Sequence, residues 1–271
     1  MSRIDELFRQ LRATDRKALM PFVTAGDPDL DFTVAVVREL AASGCHLCEL
    51  GIPYSDPVAD GPVIQASYTR ALARKIKLPQ ILDMVSGVTR DLTMPMVTMV
   101  SYAIVYRYGL ARYVTAAKAA GVAGAIIPDL LVDEADEFRE ICRREDFSLI
   151  QLVTPTTPRA RAVRIAESSS GFLYYVSITG ITGERTELPP QLKDNVAWLR
   201  QQTDLPICIG FGISRPEHVR ALAPVADGLI VGSALVRRFA DAASRPRERV
   251  LADVREFAGT LLQALQANPG L

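Results

Sequence analysis

The feature that most constrains this chain is a recurring order of segments: a short apolar run, then an amphipathic stretch of helical length. The apolar runs are ALMPFV (18–23), HLCELG (46–51), PMVTMV (95–100), AGAIIP (123–128), SLIQLV (148–153), FLYYVS (172–177), PICIGF (206–211) and DGLIVG (227–232). Helical patterns between them include DLDFTVAVVRELAASG (29–44), GLARYVTAAKAAG (109–121), ADEFREICRRE (135–145), QLKDNVAWLRQQT (191–203) and RPEHVRALAP (215–224). Strands that are apolar along nearly their whole length are buried on both faces, which requires a parallel sheet covered by helices. Eight such units in 271 residues fit one (β/α)8 barrel, the TIM barrel. A doubly wound open sheet is the competing arrangement, but it typically has fewer strands, and its G-x-G-x-x-G fingerprint is missing after the first strand. Helices expected at 2–13 and 247–267 lie outside the eightfold pattern. Nothing resembling a linker or a charge block divides the chain, so residues 1–271 are expected to form a single TIM-barrel domain.

Composition narrows the function. With 49% hydrophobic residues the chain can bury a large core, and a formal net charge of zero argues against nucleic acid as a partner. The longest apolar runs, such as AIIPDLLV (125–132), fall far short of the ~20 residues that span a membrane. The N-terminal stretch is charged and lacks the apolar segment of a signal peptide, so a cytoplasmic protein is expected. Cys45 and Cys48 have C-x-x-C spacing, but positions three apart on a strand point to opposite faces. These two, with Cys142 and Cys208, are expected to be structural thiols.

In a barrel of this kind the working residues sit at the C-terminal ends of strands and in the loops that follow. After the seventh run comes GFGIS (210–214), and after the eighth VGSALV (231–236). Each is a strand end, a glycine and a helix start, a combination that suits an anion because glycine admits close approach and helix N-termini offer unpaired N–H groups. Gly212, Gly232 and Ser233 are therefore candidate phosphate donors.

The chemistry beside that phosphate narrows by elimination. No lysine falls inside an expected strand, so a Schiff base on the barrel axis has no candidate. The two histidines, His46 at a strand start and His218 on a helix, do not make a metal cluster, and no metal or other cofactor is expected. Carboxylates and tyrosines remain. Glu49 ends the second run; facing inward it stands in an apolar core that should raise its pKa, whereas facing outward it would be buried unpaired beneath helices. Asp56 and Asp60 follow in a loop stiffened by Pro53, Pro57 and Pro62, and the pattern alone does not choose between them. Tyr174 and Tyr175 point to opposite faces, so one of them can face the cavity. The stretch ITGITGERTELPP (178–190) is either a lid or a plain connection.

PFVTAGDP (21–28), ELGIPYSDPVADGPVIQA (49–66), YYVSITGITGERTELP (174–189), GFGIS and VGSALV together resemble the signature segments of the tryptophan synthase alpha chain family, in order and over nearly the full length. The resemblance implies a barrel that cleaves indole-3-glycerol phosphate to indole and glyceraldehyde 3-phosphate without a cofactor. It implies acid–base work for Glu49, contact with the indole nitrogen for Asp60 rather than Asp56, and the cavity position for Tyr174. Phe22, Tyr102, Ile126, Phe211 and Ile230 match positions that line the indole pocket. Gly183, Gly212, Gly232 and Ser233 match the phosphate cradle, and Thr182 matches a lid threonine. It also implies a beta chain as partner in an alpha2-beta2 heterotetramer; a stand-alone lyase releasing free indole is the alternative. Three positions depart from the family pattern. Ile104 stands where Asn is usual, Leu131 where Pro is common, and Lys75 where a helix-ending Gly is frequent. At the last, a positive φ on a non-glycine residue would cost ~1 kcal/mol.

Overall fold

The computed structural model describes residues 2–57, 60–177 and 191–266. Its strands are β1 (Ala18–Thr24), β2 (Cys48–Gly51), β3 (Met96–Met99), β4 (Val122–Ile126), β5 (Ser148–Ile150), β6 (Leu152–Val153), β7 (Leu173–Val176), β8 (Ile207–Gly210) and β9 (Gly228–Val231). All pairings are parallel, in the order β5-β4-β3-β2-β1-β9-β8-β7-β6. The expected eight staves become nine strands because the fifth run is interrupted at Gln151. Its first half pairs with β4 and its second half with β7, so the sheet ends meet across one residue and the ring closes as a TIM barrel.

The register sorts side chains into an inner and an outer set. Phe22 pairs with Glu49, Glu49 with Val97, and Val97 with Gly124, so these four share a face. On the other side of the ring Leu152, Tyr174 and Cys208 form the corresponding row. This face is the barrel interior. The outer face is covered by helices, as when Thr98 Oγ1 and Tyr113 Oη meet at 2.6 Å.

The N-terminal helix Arg3–Ala13 starts with a capping box in which Ser2 and Asp5 satisfy each other's backbone N–H groups. Its end is fastened to the barrel by Asp227, which lies just before β9. Asp227 receives Arg12 at 3.3 Å, Arg200 at 2.9 Å and the Ile207 N–H at 2.9 Å. The C-terminal helix Arg247–Gln266 lies on Leu30–Ala42 and is held there by the bidentate pair Arg255–Glu39. Lys75, just past the helix Pro62–Ala73, takes a φ of +57°, the left-handed conformation that the family pattern assigns to glycine. No described helix is long and apolar enough to cross a membrane. The four cysteines are buried and unpaired; burial pushes Cys45 and Cys142 up to about 12 and raises the other two as well.

Candidate active site

The strand ends surround a cavity lined by Phe22, Glu49, Asp60, Ile64, Met99, Tyr174, Phe211, Gly212, Ile213, Ile230, Gly232, Ser233 and Ala234. A second chamber opens beside it toward the rim. It shares Asp60, Met99 and Phe211 and adds Tyr68, Leu152 and several loop residues. Asp60 therefore stands between an inner chamber with glycine-turned helix starts and an outer, mostly apolar one.

Glu49 is placed here by the pleat of β2, which turns it inward beside Phe22. It is only 1% exposed, and its Oε2 is buried with no hydrogen-bond partner. An unpaired carboxylate in such surroundings favours its neutral form. Burial, and then the negative charge of Asp60, raise Glu49 to about 8. Burial likewise raises Asp60 to about 6. Near neutral pH one carboxyl is thus largely protonated and the other largely ionised, the division of labour that acid–base chemistry needs.

The loop carrying Asp60 is anchored through its backbone. The Asp60 N–H donates to the Pro57 carbonyl at 3.0 Å, and Gln65 Nε2 donates to the Asp60 carbonyl at 2.7 Å. The helix Pro62–Ala73 begins two residues later, so its first turns hold the loop in place. Asp56 differs. It is exposed on the rim, accepts a hydrogen bond from Ser55 Oγ, and lines only the outer chamber.

Tyr174 is on the inner face and is 3% exposed; Tyr175 is on the outer face. The Tyr174 ring meets Phe211 edge-on, with centroids 5.9 Å apart. Phe211 has φ +73° and Gly212 +77°, two consecutive left-handed residues directly after β8. For a bulky side chain this is a strained conformation. Ser177 Oγ donates to the Phe211 carbonyl and ties the end of β7 to it. The turn exposes Gly212 to the cavity. After the neighbouring strand β9, Gly232 introduces the helix Ser233–Phe239, whose first N–H groups have no intrahelical acceptor.

Of the residues singled out from sequence, Phe22, Glu49, Asp60, Tyr174, Phe211, Gly212, Ile230, Gly232 and Ser233 converge on one cavity. Ile126 is inward-facing but fully buried at the end of β4, and it lines neither chamber. Tyr102 starts the helix Tyr102–Tyr108, also outside both linings, with its N–H on Asp129 at 2.7 Å. Thr182 and Gly183 lie outside the described residues, as does the whole stretch 178–190. Sequence reasoning missed Ile64, Met99, Tyr68 and Leu152. Ile64 and Tyr68, four apart on the helix after Asp60, share a face, and that spacing was a usable signal. Among the described residues no group of three His, Cys, Asp or Glu is placed to hold a metal ion.

Fold and site define a class: a (β/α)8 barrel enzyme with buried carboxylates at its mouth and glycine-turned backbone beside them. The family model described as tryptophan synthase alpha chain matches residues 8–266. A tryptophan synthase alpha chain from Rhodopirellula baltica is 57% identical over 277 residues, covering 98% of this chain and 100% of its own length. The crystal structure of tryptophan synthase subunit alpha from Legionella pneumophila superposes with a TM-score of 0.90 at 35% identity, covering 98% of this chain and 99% of that one. A chain from a structural study of mutual activation in the Pyrococcus furiosus tryptophan synthase a2b2 complex gives 0.84 at 37% identity, covering 91% and 98%. The chain belongs to the tryptophan synthase alpha chain family, lyases of tryptophan biosynthesis.

Proposed function

We propose that the chain cleaves the carbon–carbon bond of indole-3-glycerol phosphate by a retro-aldol reaction, as the alpha subunit of an alpha2-beta2 tryptophan synthase. The observation that carries the reading is the pair Glu49 and Asp60 in one cavity, with Glu49 pushed up to about 8 and Asp60 to about 6. Indole becomes a leaving group once C3 is protonated, which puts positive charge on the ring nitrogen. Protonated Glu49 supplies that proton and ionised Asp60 faces the nitrogen. As the bond breaks, its electron pair returns to the indole ring. The glycerol hydroxyl on the departing carbon gives its proton to the Glu49 carboxylate, leaving an aldehyde and restoring the acid. Gly212, Gly232 and Ser233 bind the phosphate through backbone N–H groups, so no basic side chain is required. Phe22, Phe211, Ile230 and Tyr174 pack on the indole ring.

Docking of the beta chain over the barrel mouth is supported by what that face exposes. Tyr106 is 70% exposed and Leu131 52% exposed, and they are the exposed large hydrophobic side chains among the described residues. Both lie in segments that follow strands at the mouth, β3 and β4, as Ile104 does. Asp129 holds these two segments together through Ser101 Oγ and the Tyr102 N–H, both at 2.7 Å. Asp56 and Pro57 stand across the outer chamber from them. The family match over nearly the whole chain favours the subunit over a stand-alone lyase. Steady-state cleavage of indole-3-glycerol phosphate by the isolated chain, with and without its own beta chain, tests both parts. No cleavage in either state refutes the reaction. Rapid cleavage with no association at micromolar concentration favours the stand-alone enzyme.

A further inference from the structure

The N–H of Gly212 faces the cavity as a phosphate donor, yet a glycine does little to fix its own backbone. Gly212 follows β8 with φ +77°, and Phe211 before it has φ +73°. With no Cβ at 212, the Phe211–Gly212 peptide unit can rotate at little steric cost. One orientation presents an N–H to the cavity and binds an anion; the flipped one presents a carbonyl oxygen and repels it. The turn's own residues do not choose between them, so the choice needs an anchor outside the turn.

Ser177 is placed to be that anchor. It is the first residue after β7 and is fully buried, and its N–H donates to the Gly210 carbonyl at 3.0 Å. Its backbone is therefore fastened to the end of β8, while its Oγ donates to the Phe211 carbonyl. The Phe211–Gly212 peptide is trans, and the C=O and N–H of a planar trans unit point to opposite sides. β8 lies between β7 and β9 in the sheet. With the carbonyl drawn toward the end of β7, the Gly212 N–H points to the β9 side. There stand Gly232 and the start of the helix Ser233–Phe239, which line the cavity together with Gly212. Among the described residues the Gly212 N–H has no acceptor.

We propose that Ser177 is a positioning residue whose hydroxyl sets the rotation of the Phe211–Gly212 peptide, so that the Gly212 N–H is aimed at the substrate phosphate. The inference rests on the phosphate site of the proposed function and adds what orients one of its donors. Ser177 lines neither chamber, so its hydroxyl acts through the turn and not by touching substrate. If it served only to fasten β7 to β8, the backbone bond to Gly210 would already do so.

Ser177→Ala removes the hydroxyl and keeps that backbone bond. Calorimetry on the isolated chain should show glycerol 3-phosphate weakened about tenfold, the loss of one hydrogen bond to a charged group. Binding of indole, which carries no phosphate, should stay within about twofold, and in cleavage KM should rise with kcat little changed. The Gly212 amide proton gives a readout independent of activity. In wild-type protein inorganic phosphate should shift it downfield, and in Ser177→Ala that shift should fall by at least about half. Ser177→Cys, of similar size with a weaker donor, should lie between the two and decides the matter if the Ala variant folds poorly. Unchanged glycerol 3-phosphate affinity, or equal losses for glycerol 3-phosphate and indole, overturns the proposal and leaves Ser177 a structural tie. Wild-type protein that binds glycerol 3-phosphate without cleaving indole-3-glycerol phosphate refutes the reaction alone, and the binding comparison still judges Ser177. Wild-type protein that binds no glycerol 3-phosphate refutes the phosphate site and this inference with it.

Discussion

The hydroxyl of Tyr174 occupies the space into which a side chain on Gly210 would project; a Cβ there would overlap the phenol. Gly210 ends β8 and pairs with Val176, so the contact joins neighbouring strands exactly at the cavity wall. Gly210→Ala must push the ring toward the substrate space or separate the strands. Overpacking of this kind costs about 1–3 kcal/mol. The expected result is a modest drop in Tm with a loss of cleavage larger than the stability change explains. Thermal melts and steady-state rates on one preparation check it.

Glu49→Gln should lower turnover by about 10³-fold, the middle of the range for one acid–base group, while glycerol phosphate still binds. It should also make the protein more stable, in a pH-dependent way. Burial raises Glu49 from 4.5 to about 8, so the wild-type fold loses stability as pH rises through that interval. Gln has no such penalty. The variant's advantage in chemical denaturation should be absent near pH 4 and fully developed above about pH 8.

The wild-type kcat/KM profile should be a bell. Its acid limb reports Asp60 gaining charge near about 6, and its alkaline limb reports Glu49 losing its proton near about 8. Asp60→Asn should remove the acid limb and most of the activity. Asp56→Asn, on the exposed rim, should leave cleavage by the isolated chain within about twofold. The reverse ranking of the two variants would show that the assignment is inverted.

Gly232 offers a cleaner test of the phosphate site than Gly212. Gly212 has φ +77°, so any side chain there strains the backbone, whereas Gly232 has φ −103° and an added Cβ would meet only Phe22 Cβ at 3.8 Å. Gly232→Val should weaken glycerol phosphate by at least about tenfold, about 1.4 kcal/mol, with little change in Tm. Calorimetric binding and a melt measure the two quantities.

Asp227 predicts a stability effect without a catalytic one. Its carboxyl is held below the usual range despite burial, by the Ile207 N–H and by Arg200 and Arg12. Its contribution is present above its unfolded pKa and is lost as pH falls through the lower folded value. Asp227→Asn should cost about 3 kcal/mol at neutral pH and abolish that part of the acid sensitivity, while kcat stays near wild type. Denaturation at pH 7 and pH 3 tests this.

The sequence by itself determined the barrel, the eight staves and the direction in which Glu49 points. These depend on period and polarity, which are local: a pleat alternates every residue, and an unpaired carboxylate cannot lie under helices. It also marked the glycine turns after the last two strands, since a turn of that kind needs its glycine wherever it occurs. Choosing Asp60 over Asp56 and Tyr174 over Tyr175 took the family resemblance at first, because both members of each pair satisfy the same local rule. Only the tertiary structure brought Met99, Leu152 and Tyr68 to the cavity, and only it showed that the fifth stave breaks at Gln151 so that the ring closes. Tyr68 comes to Gly51 from the helix Pro62–Ala73, which packs on β1, a contact that no spacing encodes. The protonation states of Glu49 and Asp60 also belong to the folded molecule. A carboxyl's pKa responds to the water it has lost and to the charges beside it, and both are set when strands far apart in sequence close around it.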